Sequence, residues 1–178
     1  MEPHLELASE KYKESFLAAV QEYKEESPID GKDVSTLDLS LIEKDFSLYI
    51  SQLLSQARGE NLPMGYVPQT IYWLIDKDEF IGRVSLRHRL TKSLLRIGGH
   101  IGYYIRPTQR QKGYGKKILA LTLSKAKELG LKKVLVTCDE SNPASRKIIE
   151  ANGGILNESL LLGEKRSSTL RFWIPLQY

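Results

Sequence analysis

The segment from residue 97 to residue 138 constrains the fold more than any other. The apolar stretch LRIGGHIGYYIR (95–106) leads into a basic, glycine-containing loop, PTQRQKGYG (107–115). A helical stretch follows (113–130), in which Ile118, Leu119, Thr122, Leu123, Ala126 and Leu129 share one face. The continuous apolar run KKVLVTCD (132–139) comes next, as in a buried strand. Two extended segments joined through a helix read as a crossover with a parallel pair in one sheet.

The remaining segments predict antiparallel additions to that pair. HLELAS (4–9) reads as a short strand. Residues 10–27 place Tyr12, Phe16, Ala19, Val20 and Tyr23 at helical spacing, with Pro28 as a stop and 27–37 as loop. Asp38 or Ser40 is positioned to cap a helix whose stripe is Leu41, Ile42, Phe46, Ile50, Leu53 and Leu54, ended by Gly59. A turn-rich connector (60–69) precedes a hairpin of strands 70–76 and 79–90 around the turn DKD. NPASRKIIEANGG (142–154) reads as a short helix with Asn142 as N-cap, Pro143 at its first position and Gly153 as terminator. ILNESLLLG (155–163) and STLRFWIPL (168–176) are two final strands. With no repeat and no linker, 1–178 reads as one domain of α+β class. Residues 1–69 hold a strand and two helices, and residues 70–178 hold the sheet core.

The chain has 178 residues, 41% hydrophobic and 27% charged, which suits a folded domain with a real core. No apolar run approaches the ~20 residues of a membrane span. The opening MEPHLELASEKYK lacks the basic-then-apolar pattern of a leader. A lone cysteine, Cys138, forms no internal disulfide, so the expected location is cytoplasmic. The net charge of +4 hides an asymmetry: residues 1–80 carry 7 Lys/Arg against 16 Asp/Glu, and residues 81–178 carry 19 against 6. That division points to an anionic partner for the second half and a cationic one for the first.

The basic loop is placed to hold phosphate. A strand, a loop with Gly113 and Gly115, and a helix N-terminus together offer free N–H groups and a favourable dipole. Arg106, Arg110, Lys112, Lys116 and Lys117 add charge. A Walker A loop is excluded, because Lys117 stands where Ser or Thr is needed and residue 110 is Arg, not Gly. A dinucleotide fingerprint fails at its third glycine, where Ile118 stands, although Asp139 ends the next strand as that motif would have it. Arg110-Gln111-Lys112-Gly113-Tyr114-Gly115 instead matches R/Q-x-x-G-x-G/A. Together with Ile105-Arg106-Pro107 before it and the Asn-led helix after it, it resembles the acetyl-CoA loop of the GNAT N-acetyltransferases.

That resemblance implies a mostly antiparallel twisted sheet with one splayed parallel pair, flanked by about four helices. It implies acetyl-CoA as co-substrate bound by 70–178, the strand and two helices of 1–69 on the acceptor side, and direct transfer to an amine, with no metal. Pantetheine would pair with the backbone of Tyr103, Tyr104 and Ile105. The pyrophosphate would rest on residues 111–116, with Arg110, Gln111, Lys112, Gly113, Tyr114, Gly115 and Lys116 around it. Asn142 would contact the CoA arm, and Ser145 or Lys147 would reach the CoA phosphates.

The family's proton-transfer positions are poorly furnished. Seven residues beyond Asn142 stands Ile149, and five before it Thr137; His100, just ahead of Ile101-Gly102-Tyr103, is the one candidate base. Tyr103, Tyr104 and Tyr114 are further proton donors to consider. Two other functions stay open: a non-catalytic acyl-CoA sensor, and a nucleic-acid binder using Arg83, Arg87, His88, Arg89, Lys92 and Arg96. The late strands are placed to pair across a homodimer.

Overall fold

The computed structural model describes residues 2–26, 37–161 and 168–176. The expected stop at Pro28 and most of the 27–37 loop lie outside them. Seven strands form one sheet: β1 (His4–Leu7), β2 (Gln69–Asp76), β3 (Glu79–Arg87), β4 (Ile101–Ile105), β5 (Lys133–Asp139), β6 (Ile155–Leu161) and β7 (Ser168–Pro175). Their order is β1-β2-β3-β4-β5-β7-β6, and every neighbouring pair is antiparallel except β4 and β5. The fold class is therefore the expected one. The described helices are α1 (Lys13–Glu26), α2 (Leu39–Lys44), α3 (Phe46–Arg58), α4 (Lys92–Arg96), α5 (Tyr114–Glu128) and α6 (Pro143–Ala151). Among the described residues, no helix is long and apolar enough to cross a membrane.

The sheet is buried on both faces. α5 and α6 cover one, packing Ile118, Leu119, Ala126 and Ile149 on Val84, Leu86, Ile101, Val136 and Phe172. α1 and α3 cover the other, with Phe16, Tyr23, Phe46 and Tyr49 over Ile71, Trp73, Ile75 and Phe80. Phe16 stacks on Trp73 at 4.6 Å between centroids, and Phe80 meets both rings edge-on. Such aromatic pairs add to the area they bury.

Three expectations change. The stripe from Leu41 to Leu54 is two helices, broken at Asp45 (φ −150°, ψ 87°), whose carboxylate caps α3 by accepting from the Leu48 N–H at 2.9 Å. Leu129 does not join the buried face of α5; it is 45% exposed at the helix end. Strand β3 stops at Arg87, and the run 95–106 is not one strand. Thr91 caps the short α4, and Gly98 and Gly99 (φ +101° and +59°) then turn the chain into β4. A Cβ on Gly99 would stand 2.4 Å from the Leu135 carbonyl oxygen, so only glycine fits this approach of loop to β5.

Candidate active site

β4 and β5 run parallel but share one register pair, Ile101 with Val136. Beyond it they separate. Arg87 N–H donates to His100 O and Arg106 N–H to Ile81 O, so Gly102 and Tyr104 between them turn their peptide groups to β3, while His100 keeps its own N–H for β5. Tyr103 accordingly turns its N–H and C=O into the gap, as pantetheine pairing requires. Tyr104 does not: its peptide faces β3, opposite Arg83. The Ile105 carbonyl already accepts from Arg110 Nε at 3.1 Å.

At the end of the gap the loop 107–113 forms a nest. Gln111 and Gly113 both take positive φ (+61° and +87°), and Gly113 is the N-cap of α5. No described residue accepts from the backbone N–H groups of Gln111, Lys112, Gly113, Tyr114 or Gly115; the first helical donor, Lys116 N–H, bonds to Gly113 O at 3.1 Å. Consecutive free amides on a helix N-terminus suit a pyrophosphate. A Cβ at Gly113 would meet nothing within 4 Å, so that side of the nest is open. Gly115 serves another purpose. A Cβ there would lie 2.5 Å from Ile148 Cδ1, so this glycine lets α5 and α6 pack closely.

The cations divide. Lys116 and Lys147 are exposed near the nest and α6, and Lys112 reaches Gln109 at 3.0 Å. Arg106 is held instead by Glu22 of α1 at 2.7 Å, and Arg110 by Glu26 at 2.6 Å. Glu22 also accepts from Thr108 N–H and Oγ. Burial pulls the Glu22 carboxyl upward, but the bonds from Arg106 and Thr108 outweigh it and hold the group below its usual range. Part of the charge asymmetry in the sequence is thus satisfied inside the molecule, α1 bracing the loop.

Asn142 caps α6 as expected, its Oδ1 accepting from Ser145 N–H at 2.9 Å, and its side chain is exposed beside the gap. Asn142→Asp keeps the cap acceptor and adds negative charge, so acetyl-CoA affinity is expected to fall about tenfold while Tm changes by no more than a few degrees. Parallel calorimetry and thermal melts check this. Unchanged affinity would make Asn142 purely a cap.

His100 sits where the gap begins, 7% exposed. Its N–H donates to Leu135 O at 2.7 Å, and its Nδ1 accepts from Leu135 N–H at 2.9 Å. An amide can only donate, so Nδ1 carries the lone pair and Nε2 the proton. Burial, and then the nearby Arg87 charge, push the imidazole down to about 4. The ring is neutral, and this geometry leaves it no free lone pair. Sequence reasoning missed this because the bond depends on a chain reversal at Gly98 and Gly99 that alternation cannot show. Thr137 is also engaged, its Oγ1 accepting from Gly98 N–H at 3.1 Å. Ile149 is fully buried.

Of the tyrosines, Tyr114 donates to Asp76 at 2.5 Å, away from the gap. The Tyr103 hydroxyl lies 3.0 Å from Ser145 Oγ, between β4 and the first turn of α6. Burial pushes this phenol up to about 12, with the Ser145 bond opposing and Cys138 adding slightly. Cys138 is buried and its thiol raised by burial, unlike a nucleophile. The basic cluster proposed for nucleic acid is not one exposed face: Arg83 is 8% exposed, Arg87 is half-buried, and His88 Nε2 bonds to Thr70 at 2.8 Å.

Comparison with known proteins agrees with this geometry. A family model described as an acetyltransferase (GNAT) domain matches residues 45–155, more than half the chain. No curated protein matches. Among solved structures, an N-acetyltransferase from Staphylococcus aureus Mu50 is 16% identical with a TM-score of 0.65, covering 99% of this chain and 100% of that one. A GNAT-family acetyltransferase from Streptococcus pneumoniae is 16% identical (TM-score 0.67, 99% and 100% covered). The putative acetyltransferase yncA from Salmonella typhimurium, solved with its cofactor acetyl-CoA, is 14% identical (0.63, 98% and 94%). At these identities the likeness is one of fold. The family match carries more, because it runs from α3 through the amide nest to the start of β6, and on that ground the chain belongs to the GNAT acetyltransferases, which use acetyl-CoA.

Proposed function

We propose that residues 1–178 act as one catalytic unit that transfers the acetyl group of acetyl-CoA directly to a primary amine. The observation that carries this is the continuity of the β4–β5 gap with the amide nest at α5. Tyr103 would pair with pantetheine through its main chain, and residues 111–115 would receive the pyrophosphate. Lys112, Lys116 and Lys147 would supply charge. The amine nitrogen bonds to the thioester carbonyl carbon, the C–S bond breaks, the amine loses a proton and the thiolate gains one.

His100 is read here as a main-chain brace, not the base. Water removes the amine proton, or the amine arrives unprotonated, with positioning supplying the rate. Tyr103 is the group we place on the leaving thiolate. It keeps its proton through neutral pH, and it stands on the α6 side, where Ile149 offers nothing. Tyr103→Phe is expected to lower kcat about 100-fold with acetyl-CoA affinity nearly unchanged. A fall of less than about threefold would remove Tyr103 from proton transfer.

Thiol release from acetyl-CoA, followed across an amine library with mass detection of products, tests the whole reading. Binding of acetyl-CoA without turnover of any amine would favour the acyl-CoA sensor, which the engaged state of His100 and Thr137 keeps in view.

A further inference from the structure

On the α1/α3 face of the sheet, against β4, lies a cavity of about 580 Å³. Its floor is Arg83, Ser85 and Arg87 of β3 with Gly102 and Tyr104 of β4. Its walls are the 65–69 connector and the start of α4. The volume suits a small ligand. Gly102 and Tyr104 flank Tyr103 on the strand proposed for pantetheine, so whatever fills the cavity meets the acetyl group from the face opposite α5 and α6.

The sequence suggested an acidic acceptor side for a cationic amine. The cavity has the reverse character. Two guanidinium groups line it, and no Asp or Glu does among the described residues. Arg87 is fixed: its Nη1 donates to Gly98 O and Gly99 O at 3.2 and 3.0 Å, the two glycines whose positive φ turns those carbonyls toward it. Its Nε and Nη2 have no acceptor among the described residues, and no described carboxylate acts on its charge. A half-buried guanidinium held by neutral carbonyls, with two parallel donors left, is a carboxylate fork without its carboxylate. Arg83 lies four residues along β3 on the same face of the sheet and also lines the cavity.

Resting on the acetyl-transfer reading, we infer that the acceptor is an amino-carboxylate: a primary amine delivered to the thioester by a molecule whose carboxylate is bound at Arg87 in this cavity. Free amino acids and short peptides ending in a carboxylate share this chemistry, and polyamines do not. The carboxylate sets which molecule is held and how its nitrogen is aimed, so specificity lies with Arg87 and no acid is needed near the amine.

The test compares the common amino acids and alanine-led dipeptides with their C-terminal amides, and with spermidine. Binding is measured by calorimetry in the presence of CoA, and turnover with acetyl-CoA. At least one free acid should bind, and its amide should bind about 10- to 100-fold more weakly, as expected for losing a charge-assisted bidentate contact. Arg87→Met should erase that difference, and Arg87→Lys should restore part of it, with acetyl-CoA affinity as the check on folding. The substrate-side comparison needs no variant and stands even if Arg87→Met misfolds. Equal binding of acids and amides, preference for spermidine, or no binding by any acid while acetyl-CoA binds would each overturn the inference. Selective acid binding without acetyl transfer would uphold the carboxylate site at Arg87 and overturn the catalytic reading, and with it the role of the bound molecule as acceptor. Whether free amino acids or dipeptides bind more tightly identifies the source.

Discussion

Gly113→Glu is expected to weaken acetyl-CoA binding by at least about 100-fold, measured by calorimetry, while the protein stays folded. The glutamate carboxylate enters a nest of free amides at a helix N-terminus, where it competes with the pyrophosphate and repels it. Losing even one or two charge-assisted hydrogen bonds of this kind is of that order. The fold should tolerate it, because a Cβ at Gly113 meets nothing within 4 Å. The positive φ of +87° costs a side chain roughly 1–2 kcal/mol. Gly113→Ala carries the same strain without the charge, so it should lose similar stability and much less affinity. If Gly113→Glu binds acetyl-CoA within threefold of wild type, the nest is not the phosphate site.

His100→Gln is expected to change the pH dependence of stability more than catalysis. The imidazole has a folded value of about 4 against an ordinary 6.5. As pH falls below 6.5, the unfolded chain takes up the proton first and the folded protein does not. Stability from the neutral ring is therefore full above 6.5 and lost on going down toward 4, by up to about 3 kcal/mol. Glutamine has no such titration, so urea unfolding at pH 7.5 and pH 4.5 should show a smaller difference for the variant. His4, which is raised, and His88, which is lowered, are common to both proteins and cancel. kcat/KM should change by less than about tenfold, with any ascending limb of the pH profile retained. A loss of 10²-fold or more with that limb gone would return His100 to the role of base.

The parts of the fold that were legible in the sequence are those written in local periodicity. The crossover through α5, the Asn142 cap, the 77–78 turn and the loop carrying Gly113 all follow from residues close in the chain. The parts that were not legible depend on distant contacts. One apolar stripe gave two helices because Asp45 caps from inside it, and periodicity counts only apolar positions. Gly98 and Gly99 stand inside the apolar stretch 95–106, but the chain reversal they make answers to a carbonyl on β5. Arg83 and Arg87 read as members of a basic cluster open to nucleic acid. Only the sheet order and the packing of α3 and α4 reveal that this face is covered.

If the proposed site holds the coenzyme, the contact between α1 and loop 107–113 has a consequence for the thermodynamics of its capture. Glu22 grips Arg106 and Thr108, and Glu26 grips Arg110, before any ligand arrives. A loop tethered in this way has little conformational entropy left to surrender, so more of the phosphate contact energy appears as affinity. Added salt then acts at two places, screening CoA from the lysines and loosening the half-exposed Arg110–Glu26 tether. The affinity should therefore decline with ionic strength more steeply than the number of lysines at the nest would suggest.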